Sequence, residues 1–251
     1  MQSMETGRKF LEAGPWEEWL NQDTDQRRKV PPPPLQKPYP QDAKLIDLAA
    51  PQDLTVGSMP LIEAISRRKS HRRFTAEALS VEEISFLLWA AQGVRETVEK
   101  GTATRRTVPS AGSRHPFELY LVVNRVTGLG PGLYRYLPLD HKLCFLRAEP
   151  ELSKKTARAC RKQAFAGKGA AVFIWTALPY RSEWRYASLA PKLIALDAGH
   201  SCQNLYLAAE AIGAGLCAIG AYNQKQLDAL LQVDGTEEFA VYAAVAGKIK
   251  T

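Results

Sequence analysis

Hydrophobic positions follow two periods along most of this chain, one near 3.6 residues and one near 2; residues 1–58, apart from one short stretch, make a poor core. In Gly7–Leu20, Phe10, Leu11, Trp16 and Leu20 share one side of a short predicted helix. The charged run Asp23–Lys29, the block Pro31–Pro34 and then Pro38, Pro40 and Pro51 favour an extended, polyproline-like path. Residues 1–58 are therefore either a disordered tail or a Pro-rich arm on the body or on a partner subunit. Trp16, Trp19, Leu45 and Ile46, which a free tail would expose, favour the arm.

Order is expected from Pro60. Pro60–Lys69 reads as a short helix with Leu61, Ala64 and Ile65 apolar and Pro60 at its first position. Ser80 and Glu83 form a capping box; Ile84, Leu87, Leu88 and Ala91 follow at helical spacing up to Gly93. The polar, basic stretch Arg95–Thr107 reads as a loop, either a lid or a mobile surface segment. Leu119–Val123 is strand-like, and Leu133–Leu137 with Lys142–Leu146 reads as a hairpin. Gly128–Gly132 lies between two strand patterns and precedes no helix, so it reads as a turn and not as a dinucleotide fingerprint. Leu152–Gln163 is a predicted helix and Ala170–Ala177 a continuous apolar run of central-strand type. Pro191–Ile212 is the longest predicted helix and has little polar surface, which places it in the core or in a subunit interface. A short strand or loop at Leu216–Ala221, a helix at Gln224–Leu231 and a strand at Phe239–Ala246 complete the chain. This order predicts an α/β or α+β architecture around one mixed sheet, in a single domain of residues 59–251.

Composition changes this picture little. At 251 residues and 45% hydrophobic, the chain can bury its own core without disulfides or metal. The net charge of +7 suits an anionic ligand or a nucleic acid, yet no nucleic-acid module and no aromatic-interleaved basic face is visible. Cys144, Cys160, Cys202 and Cys217 are widely spaced, which argues against a zinc site and favours a reducing cytosol. No apolar run reaches membrane-spanning length, and no signal-peptide pattern opens the chain, so a cytoplasmic protein is expected.

The densest candidate chemistry is ISRRKSHRRF, Ile65–Phe74, where five cations surround Ser70 at the end of an apolar segment. Such a cluster either holds a phosphate or is a solvated, basic helix end that suits the macrodipole. His200, within the long apolar helix, reads as a buried histidine satisfied by a neighbour. His115 is a candidate for orienting the preceding loop, and His71 and His141 read as exposed. No pair has ligand spacing, so no metal is expected.

Four stretches in order resemble the nitroreductase superfamily of FMN-dependent oxidoreductases, and within it the thiazoline/oxazoline dehydrogenase branch (SagB/ThcOx type). They are RKSHRRF (Arg68–Phe74), PSAGSRHP (Pro109–Pro116), WRYASLAPKLIALDAGHSCQNL (Trp184–Leu205) leading into AAEAIGAGLCAIGAY, and the terminal strand ending AVAGK. The resemblance spans roughly Pro60 to Lys248 and implies an α+β fold, a central mixed sheet flanked by helices, and an interlocked homodimer binding FMN at the subunit interface. By position, Arg68, Lys69, Ser70 and Arg72 would hold the flavin phosphate, ribityl chain and pyrimidine edge, with Lys248 offering a C-terminal cation. The chain ends at Thr251, short of the family's longer tail. Pro109, Ser110, Ala111 and Gly112 would approach the flavin from the partner subunit, and Ile219 and Gly220 would pass near the phosphate. Without a ligand, the same loop is simply a Pro/Gly turn, and Ile219–Gly220 a buried strand end.

The resemblance also implies a reaction. Azoline dehydrogenases oxidise a peptide-borne thiazoline or oxazoline, which takes a base for the ring proton and a hydride acceptor. A Lys-Tyr pair precedes the long helix in that branch; here the positions read Arg185-Tyr186. Tyr186 keeps a phenolic acid/base or is a structural cap of the interface; Arg185 stays protonated and cannot be the base. The alternatives are an NAD(P)H-dependent nitro or quinone reductase and a noncatalytic flavin-binding scaffold.

Overall fold

The computed structural model describes residues 2–12, 16–98 and 101–250. A seven-stranded sheet forms its centre: β1 (Leu45–Asp47), β5 (Phe117–Val123), β7 (Gly132–Leu137), β8 (Lys142–Arg147), β9 (Ala171–Ala177), β10 (Ala214–Ile219) and β11 (Phe239–Lys248). Its order is β1-β8-β7-β5-β9-β11-β10, with every neighbouring pair antiparallel. The expected mixed sheet is thus corrected. Among the described residues, parallel pairing is confined to the short strands β2 (Leu79–Ser80) and β6 (Val126–Thr127), and to an isolated Ser70–Leu216 bridge at the β10 edge.

Helices cover both faces. Phe173 and Trp175 of β9 pack with α4 (Val81–Gln92) and α7 (Ala190–Ala211). Val172 and Ile174, pointing the other way, pack with α5 (Leu152–Ala159) and α8 (Gln224–Leu231). A strand enclosed on both faces has no polar alternation, which is why β9 reads as a continuous apolar run. The capping box forms as expected: the Glu83 N–H donates to Ser80 Oγ at 3.1 Å and the Ser80 N–H to Glu83 Oε2 at 2.8 Å.

Three elements differ from the sequence reading. Arg95–Thr107 is largely a hairpin of β3 (Val94–Val98) and β4 (Ala103–Arg106), although residues 99–100 lie outside the described residues. Its polarity concealed the strands because the inward position is Arg106, buried and donating to Gln92 Oε1 at 2.9 Å. The predicted Leu152–Gln163 helix stops at Ala159, and Arg161 and Lys162 then turn with φ of 56° and 60°. The helix expected over Gly7–Leu20 is observed as α1 (Gln2–Leu11) and α2 (Trp16–Leu20); residues 13–15 lie outside the described set. The remaining helices are α3 (Leu61–Arg67) and α6 (Tyr180–Tyr186).

The proline-rich segment lies along the body. An extended, proline-rich path makes no internal hydrogen bonds, so its carbonyls need outside donors. Trp184 donates to the Val30 carbonyl, Arg106 to that of Leu35, and Arg135 to those of Lys37 and Pro38. β1 then joins the sheet edge against β8.

Removing the Ser80 hydroxyl leaves an N-terminal N–H of α4 unpaired. Ser80→Ala is expected to lose about 1 kcal/mol of unfolding free energy, read as a lower urea midpoint at unchanged m-value.

Candidate active site

The residues singled out in the sequence assemble into two groups on α7. The first is at its C-terminal half. Ser70 Oγ and the Tyr206 hydroxyl are 2.9 Å apart, and that hydroxyl accepts the Ala218 N–H at 2.8 Å. Arg68 lies over the Tyr206 ring at 5.4 Å, and the Lys69 N–H donates to Glu210 Oε1 at 3.4 Å. Tyr206 thus ties the basic segment to β10 at Ala218, directly before Ile219 and Gly220. Ile219 is buried; Gly220 is exposed and lines a groove of about 680 Å³ between α6, α7 and β11. A Cβ built on Gly220 would meet nothing within 4 Å, so the groove stays open beside that backbone.

Charge around Ser70 is only partly compensated. Arg67 pairs with Glu63 at 2.6 Å and His71 lies 3.8 Å from Glu210. Among the described residues, no carboxylate reaches ion-pair distance of Arg68, Lys69 or Arg72. Lys248 is held apart from them: its amine donates to Glu83 Oε1 at 2.5 Å, at the N-terminus of α4.

The second group surrounds the start of α7. Asp197 Oδ2 accepts the Ser110 hydroxyl at 2.6 Å, and its carboxylate takes the Ala111 N–H at 3.2 Å. Ser110 Oγ in turn accepts the His115 backbone N–H at 2.9 Å, while the His115 ring lies 3.2 Å from the Thr104 carbonyl. Pro109 leads into this loop exposed, and Gly112 sits at φ 56°. A Cβ on Gly112 would lie 2.7 Å from the Tyr186 hydroxyl and 2.9 Å from Arg185 Nε, so only glycine permits this approach. Arg185 and Tyr186 are therefore against the PSAG loop of their own chain. Tyr186 is 8% exposed, stacked on Trp19 at 5.8 Å, and Trp19 Nε1 donates to the Arg185 carbonyl at 3.1 Å. Arg185 Nε is buried without a hydrogen-bond partner.

The two groups do not meet within one chain. Tyr206 follows Asp197 by nine residues, which is about two and a half turns and about 14 Å of helix. Their side chains therefore leave α7 on opposite sides. Between them Ala195, Leu196, Gly199, His200 and Gln203 face outward, and Leu196 is 52% exposed. His200 is thus exposed, not buried, because the helix turns that face away from the sheet. His71 and His141 differ from expectation too: both are partly buried, and His141 bonds the Tyr136 hydroxyl at 2.7 Å.

Sequence reasoning passed over Asp197 and Tyr206, the two residues that anchor the groups. The available signal was polar side chains within an otherwise apolar helix, where each must find a partner. Burial raises the Asp197 carboxyl, against the opposing effect of the Ser110 hydroxyl bond.

An antiparallel sheet flanked by α4 and α7 on one face and by α5 and α8 on the other is an α+β architecture. The nitroreductase family pattern matches residues 65–248, and the chain belongs to that family, whose members are oxidoreductases. It is 32% identical over 178 residues, 71% of this chain and 87% of the other, to a protein of Methanocaldococcus jannaschii described as a nitroreductase. It is 31% identical over 180 residues to the trifolitoxin-processing protein TfxB of Rhizobium leguminosarum bv. trifolii, covering 66% of this chain and 47% of that one. A nitroreductase-type crystal structure from Ralstonia eutropha aligns with a TM-score of 0.68 at 27% identity, over 88% of this chain and 95% of its own. One from Desulfovibrio desulfuricans, solved with FMN, shares the fold at a TM-score of 0.53 and 20% identity, over 77% and 88%. No helix among the described residues is long and apolar enough to cross a membrane.

His115 offers a pH test of the loop. Burial, reinforced by the Arg106 charge, pushes its imidazole from 6.5 down to about 3. The unfolded chain gains a proton below 6.5 that the folded chain refuses, so stability is complete above that pH and is lost as pH falls toward 3. Within that window the native protein should lose up to roughly 1.4 kcal/mol per pH unit more than His115→Gln. Urea unfolding of both proteins at about pH 7 and about pH 5 measures the difference.

Proposed function

We propose that this chain is an FMN-dependent oxidoreductase of the thiazoline/oxazoline dehydrogenase type. It would work as a cytoplasmic homodimer on a small-molecule or peptide-derived heterocycle. The observation that carries the reading is the set of cations without an ion-pair partner at Arg68, Lys69 and Arg72 around Ser70, whose hydroxyl Tyr206 fixes; Gly220, two residues past the Ala218 that Tyr206 also holds, borders an open groove. A phosphate is the ligand that such a set fits: dispersed positive charge, a hydroxyl already oriented, and one neighbouring carboxylate, Glu210, that reaches the Lys69 N–H and His71 but none of the three cationic side chains. The groove volume lies within the range of cofactor sites. FMN, when bound, supplies a two-electron acceptor for hydride at its N5.

The chain's own residues supply the rest. Arg68, Lys69, Ser70 and Arg72 hold the phosphate, ribityl chain and pyrimidine edge, and Ile219 and Gly220 bring backbone close by. Lys248 joins them only by leaving Glu83. Because Pro109, Ser110, Ala111 and Gly112 stand on the other side of α7, a flavin at the basic cluster takes them from a second subunit. Exposed Leu61, Ile62 and Ile65 on α3, at 64, 80 and 57%, supply apolar surface for that union. Residues 1–58 act as an arm that carries Trp19 onto Tyr186, and residues 59–251 as the flavin-binding domain. Tyr186 exchanges the substrate proton, and Arg185, permanently charged, stabilises the anion so formed.

A second reading, an NAD(P)H-dependent nitro or quinone reductase, is favoured by one observation: arginine occupies the position of the expected basic lysine. The two separate by assay. Anaerobic flavin bleaching by azolines supports the dehydrogenase, and bleaching by NAD(P)H alone the reductase. A flavin reduced by neither would leave the noncatalytic scaffold.

The purified protein should be yellow, with about one FMN per chain identified by mass. Paired Ser70→Ala and Arg72→Ala substitutions should weaken FMN binding by at least about 1.5 kcal/mol, or tenfold, by fluorescence titration. Tyr186→Phe should keep the flavin and lower turnover by about a hundredfold. A colourless protein that cannot be reconstituted with FMN overturns the proposal.

A further inference from the structure

Positive charge also gathers far from this site, on the opposite face of the sheet. Two grooves of about 560 and about 510 Å³ adjoin along α5 and share Arg158 in their walls. Arg147 and Lys155 line the first; Lys154, Lys162 and Lys168 line the second. Two carboxylates answer these six cations: Glu149 pairs with Arg147 and Lys155, and Glu151 with Lys154. Among the described residues, Arg158, Lys162 and Lys168 have no ion-pair partner, and all three are exposed. An excess of four positive charges thus lines one strip of a chain whose net charge is +7.

The second groove is also lined by the small residues Ala157, Ala164 and Gly167. Lys162 enters the wall from a turn in which it and Arg161 both hold left-handed φ, a conformation disfavoured for residues with side chains. We propose that this strip docks an acidic polypeptide segment of a partner protein. Charge complementarity selects acidic side chains, and the small lining residues leave room for apolar side chains between them. No aromatic ring lines either groove, so bases would have nothing to stack on. A membrane surface would call for apolar side chains beside the cations, and the exposed large hydrophobics of α3 and α7 lie elsewhere. The site is independent of flavin and extends the proposed function by a binding surface.

The test uses the full chain and a fluorescein-labelled peptide of alternating Glu and Leu, followed by anisotropy at physiological ionic strength. One variant combines Arg158→Glu, Lys162→Glu and Lys168→Glu. A control of equal charge change combines Arg8→Glu, Lys29→Glu and Arg95→Glu, none of which lines either groove. Both should keep the native circular dichroism spectrum. The strip variant should weaken peptide binding by at least about tenfold and the control by less than about threefold. The proposal is overturned if the native chain does not bind the peptide, or if the two variants weaken it equally. It is also overturned if oligo-dT or phosphatidylserine vesicles bind more tightly than the peptide through the same three side chains.

Discussion

A polar side chain buried without a partner costs more than a typical hydrogen bond returns, so a buried helix with polar residues dictates what must surround it. α7 carries four such residues: Asp197, Ser201, Tyr206 and Glu210. Each one recruits a different segment. Asp197 takes the Ser110 hydroxyl and the Ala111 N–H; Ser201 takes Gln92 and Trp175; Tyr206 takes Ser70 and Ala218; Glu210 takes the Lys69 N–H. The candidate site is in this sense an outcome of satisfying one helix. Its two halves are separated because Asp197 and Tyr206 differ by half-integral turns.

The same rule governs the proline-rich arm. Its carbonyls have no partners of their own, and the body meets them with indole and guanidinium donors from Trp184, Arg106 and Arg135. Those arginines are themselves buried and need acceptors. Arg106 finds Gln92, and Arg135 lies 3.7 Å from Glu118, which Arg181 also contacts at 2.6 Å. The arm and the core therefore satisfy one another. This is why residues of low hydrophobic periodicity lie ordered against the sheet, and why α2 can bring Trp19 to Tyr186.

The sheet divides the molecule's chemistry by face. On the α4 and α7 side lie the apolar groove, the basic hydroxyl cluster and the PSAG loop. On the α5 and α8 side lie the basic grooves, lined by cations, and the buried Asp228 of α8, which accepts the Ala240 N–H, ties that helix to β11. A rigid, fully enclosed β9 stands between them, so each face presents its groups without depending on the other.

The sequence by itself determined whatever depends on local periodicity and local chemistry. Ser80 and Glu83 cap α4 because their partners lie three residues apart, and β9 and α7 are evident from unbroken apolar runs. The resemblance of RKSHRRF, PSAG and LDAGH in order was also enough to indicate the family and the fold class. Only the tertiary structure decided the rest, because it depends on distant partners. The β3–β4 hairpin was hidden since its inward residue is an arginine satisfied by Gln92 and the Leu35 carbonyl. The sheet is antiparallel because of how its strands are connected in space, which hydrophobicity does not encode. His200 points outward and Lys248 is held by Glu83 for the same reason: orientation on a helix or strand end is set by what packs beside it. Asp197 and Tyr206, unremarked among apolar neighbours, became the anchors only once the chain segments that they hold had been brought to them.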